Sequence, residues 1–223
     1  MIAVIDYGAG NVGSVTNALS HLGVRHVVTD DPATILAADG VVFPGVGATA
    51  DAMVQLRARG LVEVIRQATA SGKPFFGICV GQQVLFDTSH EGAPHPCLGV
   101  LAGDVRRFPD RADLHVPHMG WNSVRLRRPH PLFAGVPDET PFYFVHSYHI
   151  APADDAIILG ETDYGVTFPA AVARGAVMAT QFHPEKSGRW GLHLYRNFAE
   201  IVARHTAGQA MEAGAVVGAA GGQ

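Results

Sequence analysis

A chain of 223 residues, 48% hydrophobic and 16% charged, suits one large α/β domain or two small ones and excludes a chain that is disordered or coiled coil as a whole. Its net charge of −4 offers no basic footprint for nucleic acid, and no apolar run is long enough to span a membrane. Only two cysteines, Cys79 and Cys97, are present, and the N-terminus lacks the basic region of a signal peptide; both features predict a reducing, cytoplasmic setting.

The first apolar run, Ile2 to Ile5, reads as a strand ending in the turn Asp6-Tyr7-Gly8-Ala9-Gly10-Asn11. Apolar residues at Val12, Val15, Ala18, Leu19 and Leu22 then follow helical spacing. Glycines 8, 10 and 13 match G-x-G-x-x-G, but only Asp30 or Asp31 could supply the acidic partner of a dinucleotide site. The preferred reading is a loop held close to another backbone or to a partner surface. A second strand spans His26 to Thr29, and Asp31 opens a helical turn from Pro32 to Ala38. The third strand, Gly40 to Phe43, runs into Pro44-Gly45-Val46-Gly47. That turn either aims backbone N–H groups at an anion or simply ends the strand. Residues 50–71 carry the spacing of one or two helices.

Pro74 to Ile78 is an apolar strand, broken by Cys79 and resumed as a short helix from Val80 to Phe86. Gly77 and Gly81 flank the cysteine at the spacing of a strand-to-helix elbow, which lifts one side chain above a sheet. The helix N-terminus aims free N–H groups and its positive dipole end at the sulfur, favouring a thiolate and any oxyanion beside it. Cys79 is therefore read as a nucleophile, against the alternative of a small thiol buried in a core strand. Strands alternating with helices up to residue 86 predict a parallel sheet with helices on both faces. Ligands bind such sheets beyond the carboxyl ends of the strands, where Gly47 and Cys79 fall.

Residues 87–97 form a loop rich in turn formers. His90, His95 and Cys97 match no zinc spacing, and His115 and His118 read as structural imidazoles, so no metal is predicted. Short strands follow at Gly103–Phe108, Val116–Leu126, Phe142–Ile150, Ala156–Glu161, Val166–Phe168, Ala170–Ala173 and Val177–Phe182. They are spaced as antiparallel pairs added to the main sheet or returning into it. The last delivers His183, with Glu185 two positions on. A thiol nucleophile needs a base that later returns its proton, and that imidazole needs a carboxylate to hold it. Glu185 could instead complement the dipole of a helix through Leu192–Val202; with Cys79 available, the Cys–His–Glu reading is preferred. Small residues dominate 206–223, which sets the domain at 1–204 and predicts a flexible Ala/Gly-rich tail at 205–223.

An α/β-hydrolase runs nucleophile, acid, histidine, whereas here the acid comes last, beside the histidine. GICVGQQ at 77–83, PGVG at 44–47 and QFHPEKS at 181–187 together resemble the elbow, oxyanion strand and His-Pro-Glu segment of the class I (triad) glutamine amidotransferases. The resemblance spans residues 1–204, and three spaced motifs make it specific. Within that family DYGAGNVGSV, HMGWN, YFVHSYH and QFHPEKSG resemble the glutaminase subunits of imidazole glycerol phosphate synthases, which serve histidine biosynthesis. Those subunits work beside a separate (β/α)8 cyclase.

The resemblance implies a flavodoxin-like fold, mostly parallel with helices on both faces and an antiparallel extension. It implies hydrolysis of L-glutamine to glutamate and ammonia through a thioester on Cys79, with His183 and Glu185 completing the triad and no cofactor. It further implies an oxyanion hole from the Val80 N–H and a backbone N–H of the Gly45, Val46, Gly47 loop, which would change orientation on activation. Gln83, Ser147 and Tyr148 are placed around the glutamine. Asn11, His118, Met119, Trp121 and Tyr143 are placed on the surface that docks the cyclase, which receives the ammonia and makes imidazole glycerol phosphate and AICAR. Gln82 departs from the pattern, since methionine is common there. The alternatives are the glutaminase of another synthase, such as that feeding pyridoxal phosphate synthesis, a related cysteine hydrolase, or a silent binding subunit.

Overall fold

A computed structural model describes the backbone of residues 1–220 and the side chains of residues 1–209. The first part alternates β1 (Ile2–Ile5), α1 (Val12–His21), β2 (His26–Thr29), α2 (Pro32–Ala37) and β3 (Gly40–Gly45). Two helices, α3 (Thr49–Ala58) and α4 (Leu61–Ala70), lead to β4 (Phe75–Cys79) and the single turn α5 (Val80–Gln83). Short strands β5 (Thr88–Ser89), β6 (His95–Pro96) and β7 (Gly103–Arg107) come next. Then follow β8 (His118–Leu126), β9 (Thr140–His146), β10 (Tyr148–Pro152), β11 (Ile158–Asp163), β12 (Thr167–Arg174), β13 (Val177–Thr180) and α6 (Gly188–Ala220).

The main sheet runs β2-β1-β3-β4-β13-β12-β11-β8-β9. Its first five strands are parallel, and every later pairing is antiparallel. Strands β1, β3, β4 and β13 are buried along their whole length, as strands covered on both faces must be. Because β2 and β3 flank β1, right-handed crossovers send α1 and α2 to opposite faces. Accordingly α1 packs with α6, while α2 and α3 pack with α4. The parallel-sheet expectation is met, and so is the antiparallel extension.

Several boundaries differ from the sequence reading, each for a physical reason. The 50–71 segment is two helices because Gly60 adopts a left-handed conformation (φ +67°) between them. The helix expected to reach Phe86 stops at Gln83. Leu98, Gly99, Val100 and Leu101 donate their N–H groups to the carbonyls of Val84, Phe86 and Leu85, so a neighbouring segment binds the groups a longer helix would use. The predicted strand Phe142–Ile150 breaks at Ser147: β9 stays in the main sheet, while β10 joins a separate sheet ordered β10-β7-β5-β6. Conversely, Pro169 does not split β12. It faces Glu161 where the β11–β12 register is irregular, a position at which a missing N–H is tolerated. The last helix begins at Gly188 and passes through the expected start of the tail, its backbone helical to Ala220. Alanine, glutamine, methionine and glutamate there are good helix formers. Residues 221–223 of that expected tail lie outside the described residues.

The start of α6 rests directly on the turn Pro184–Lys186. A Cβ on Gly191 would lie 1.8 Å from the Pro184 carbonyl oxygen, so only glycine permits this approach. Gly191→Ala is expected to destabilise the fold by about 2–3 kcal/mol, seen as a lower midpoint in urea unfolding. An unchanged midpoint would mean that the turn yields freely.

Candidate active site

β3, β4 and β13 are adjacent and end together: Gly45 lies level with Cys79, and Thr180 with Ile78. Their carboxyl ends therefore bring the Gly45–Gly47 loop, the elbow and the segment after Thr180 to one place. Cys79 itself is left-handed (φ +55°, ψ −111°), a strained state for a residue with a side chain. The glycines make it possible. A Cβ on Gly81 would stand 2.1 Å from the Phe43 carbonyl oxygen, and one on Gly77 would stand 2.8 Å from that of Gly81.

His183 and Glu185 face the elbow as a buried pair, with Nδ1 2.8 Å from Oε1. Asn11 Nδ2 donates to the same Oε1 at 3.2 Å, and the Tyr195 hydroxyl reaches Oε2 at 3.5 Å. Burial alone would push the imidazole down, but the Cys79 sulfur beside it and Glu185 outweigh that, and its pKa is pushed up to about 10. Burial likewise works against a charged Glu185, yet the hydrogen bonds from His183 and Asn11 hold its carboxyl below the usual range. A protonated imidazole so held can hand a proton to a leaving amine, and the carboxylate keeps Nδ1 oriented. The main chain contributes as well: the His183 N–H donates to the Tyr143 carbonyl, and Ser187 Oγ accepts from the Tyr143 N–H.

A cavity of about 390 Å³ opens over these groups, lined by Val46, Gly47, Cys79, Val80, Gln83, Ser147, Tyr148 and His183, with Glu91 and Lys186 among its other walls. Cys79, His183 and the expected oxyanion-loop and substrate residues thus share one space, with Glu185 outside its lining, bonded to His183, and Gly45 packed just beneath against Gly81. Ser147 and Tyr148 reach the rim because the chain changes sheets there. A larger groove of about 660 Å³ lies at the far end of β8, around Arg127, Arg128 and His130, away from the nucleophile.

Three contributors were not read from the sequence. Gln181 Nε2 lies 3.7 Å from the Cys79 sulfur, and its Oε1 accepts from Gln83 Nε2 at 3.0 Å. Gln83 also donates to the Tyr148 carbonyl at 2.9 Å, so both its hydrogens are used and its carbonyl oxygen is what it can offer a ligand. Gln181 was visible within QFHPEKS, two positions before the histidine. Glu91 had no signal, being one acid in a turn-rich loop; its Oε2 accepts from the Thr49 N–H at 2.6 Å and hydroxyl at 2.9 Å, tying that loop to the start of α3. Tyr195 entered only through the packing of α6.

The residues expected on the docking surface divide. Met119 and Trp121 are 63% and 58% exposed on β8, and Trp121 meets half-buried Tyr143 edge to face at 6.1 Å. His118 is a correction. It is buried, stacked between Tyr164 at 4.0 Å and Phe144 at 4.8 Å, and bonded to His146, so it cannot contact a partner. Strand alternation turns His118 inward and Met119 outward. Burial pushes the His118 and His146 imidazoles down to about 4 and 3, leaving both neutral beside the site. Asn11, expected on the same surface, points at Glu185 instead of only outward.

Gln82, next to Gly81, is fully buried, and neither amide atom has a partner among the described residues. Gln82→Met is expected to stabilise the protein by about 1–3 kcal/mol, raising the calorimetric Tm by several degrees with glutamine turnover unchanged. A lowered Tm would reveal a partner for the amide. Cys79 is the chief influence raising the His183 pKa, so Cys79→Ser should move the ring's NMR titration from about 10 toward 6.5. A raised folded pKa stabilises the fold below pH 6.5, and that contribution fades as pH rises through about 10. Wild type should therefore lose stability relative to Cys79→Ser across that window. An unmoved His183 titration would assign its charge to Glu185 alone.

The family model described as "Glutamine amidotransferase class-I" matches residues 3–202. The chain is 54% identical over 201 residues to "Imidazole glycerol phosphate synthase subunit HisH" of Dehalococcoides mccartyi (strain CBDB1), covering 90% of this chain and 97% of that protein. It is 55% identical over 206 residues to the protein of the same name from Aromatoleum aromaticum, covering 88% and 96%. Among solved structures, a putative GMP synthase protein from Thermoplasma acidophilum has a TM-score of 0.70 at 22% identity, over 93% of this chain and 96% of that one. PurLQS from Thermotoga maritima has a TM-score of 0.69 at 19% identity, over 90% and 98%. These two likenesses bear on the fold alone, and the fold agrees with the family. Matched over nearly its whole length by the family model and by such similar relatives, the chain belongs to the class I glutamine amidotransferases.

Proposed function

We propose that this chain is the glutaminase subunit of an imidazole glycerol phosphate synthase, releasing ammonia from L-glutamine for a (β/α)8 cyclase subunit in histidine biosynthesis. The observation that carries the proposal is the meeting of Cys79 and His183 over one cavity of amino-acid size, with Glu185 bonded to the imidazole, in a chain more than half identical to proteins of that name. Cys79 attacks the side-chain amide carbon, and the oxyanion is held by the Val80 N–H and an N–H of the Gly45–Val46–Gly47 loop. His183 gives its proton to the departing ammonia and then activates the water that cleaves the thioester, with Glu185 fixing the ring. The α-ammonium of glutamine calls for acceptors, which the Gln83 carbonyl and the Glu91 carboxylate supply. Ser147 and Tyr148 bound the same end of the ligand. Residues 1–204 are the catalytic unit, with 205–223 as an appendage.

Ammonia must pass to the cyclase before it protonates and escapes, so the partner has to cover the site. Met119, Trp121 and Tyr143 are the anchors proposed for that contact: Met119 and Trp121 are exposed, Trp121 meets Tyr143, and Lys186 of the cavity wall lies 5.9 Å over the Tyr143 ring. The backbone of Tyr143 bonds both His183 and Ser187, which gives docking a short physical route to the triad. Partner binding that reorients the Gly45–Gly47 loop would then couple hydrolysis to the cyclase reaction.

In the reconstituted complex, Cys79→Ala is expected to lower glutamine-dependent ring closure by at least about 10⁴-fold while ring closure from ammonium salts continues. Retained glutamine-dependent activity would sink the nucleophile assignment. Trp121→Ala should weaken cyclase binding by about 2 kcal/mol, roughly 30-fold in Kd by titration calorimetry. An unaltered Kd would move the interface elsewhere.

A further inference from the structure

Tyr7 is fully buried, and its hydroxyl has no hydrogen-bond partner among the described residues. A buried hydroxyl left without a bond costs stability, so its retention beside a reaction centre calls for a use. The residue follows β1, and β1 pairs with β3 through Val4 and Val42, which carries Tyr7 alongside the path of β3 into the Gly45–Gly47 loop. Its ring packs on Phe43 at 5.6 Å, and its main-chain carbonyl accepts from Arg59 Nε at 3.0 Å, so ring and backbone are each held. A Cβ placed on Gly45 would meet Tyr7 Oη at 2.9 Å and the Gly81 nitrogen at 2.6 Å. The hydroxyl therefore ends in the seam between the loop and the nucleophile elbow. Burial, helped by nearby Cys79, holds the phenol far above its ordinary range, so Oη keeps a hydrogen to donate; the Val46 N–H lies close enough to oppose this shift but makes no hydrogen bond to Oη in the chain alone.

A trans peptide points its N–H and C=O to opposite sides. For the Val46 N–H to face the glutamine oxyanion, the Gly45 carbonyl must face away from the cavity, into the protein, where it needs a donor. We propose that Tyr7 Oη is that donor, a positioning residue that holds the Gly45–Val46 peptide with its N–H toward the oxyanion. The inference rests on the glutaminase reading and deepens it. In the chain alone the bond is not made; making it satisfies the hydroxyl and fixes the loop in one step.

The test is Tyr7→Phe in the complex with the cyclase, which keeps the ring packing and deletes only the hydroxyl. The expected result is a fall in kcat for glutamine of about three- to tenfold with KM unchanged, while Tm stays level or rises because an unpartnered polar atom is gone. Unchanged kcat, a loss confined to KM, or kcat and Tm falling together would each overturn the proposal, the last by showing a merely structural role. A wild-type complex inert toward glutamine would instead overturn the glutaminase reading and this proposal with it, so the two failures are separable.

Discussion

The site depends on one close approach of backbones, that of Gly81 to the Phe43 carbonyl oxygen at the top of β3 and β4. Because no Cβ intervenes, the elbow closes tightly enough to hold Cys79 at φ +55° and to start a helical turn directly behind the sulfur. That turn supplies the Val80 N–H beside the nucleophile, and the neighbouring end of β3 supplies the Gly45–Gly47 loop. Parallel register between β4 and β13 then delivers the segment carrying His183 to the same rim. A protein with any side chain at Gly81 would have to separate these strands, and the convergence would be lost.

Around that rim the protein tolerates local costs that a core selected for stability alone would avoid. Cys79 is strained, the His183–Glu185 pair is buried with charge, and both Tyr7 and Gln82 bury polar atoms without partners among the described residues. The packed interior offsets these costs. The four central strands are sealed on both faces, and the aromatic side chains Phe76, Tyr195 and Phe198 bind α6 to the sheet. Stability is thus supplied by one region and consumed in another. The carboxylate of the triad shows the same division, drawing Asn11 from the first loop and Tyr195 from the last helix into one hydrogen-bonded cluster.

The surface beside the site follows from strand alternation. On β8 the odd positions Met119 and Trp121 face outward while His118 turns inward onto Phe144 and Tyr164. The two exposed side chains stand on the strand paired with β9, and the Tyr143 backbone of β9 bonds directly to the segment carrying His183. The membership of the chain in the class I glutamine amidotransferases and this geometry point the same way, to a glutaminase.

The sequence by itself determined which three residues would meet, Cys79, His183 and Glu185, because elbow glycines and a His-Pro-Glu turn are local requirements written at fixed spacing around Cys79 and His183. It determined the parallel half of the sheet for the same reason, since strand and helix periods alternate there without interruption. Only the tertiary structure decided which side of β8 His118 takes, that Asn11 meets Glu185, that Glu91 caps α3 and walls the cavity, and that the chain changes sheets at Ser147. Those outcomes depend on which residues distant in sequence become neighbours. Spacing along a chain constrains the residues of one turn or strand, but not the partner that burial will bring to an imidazole, an amide or a carboxylate.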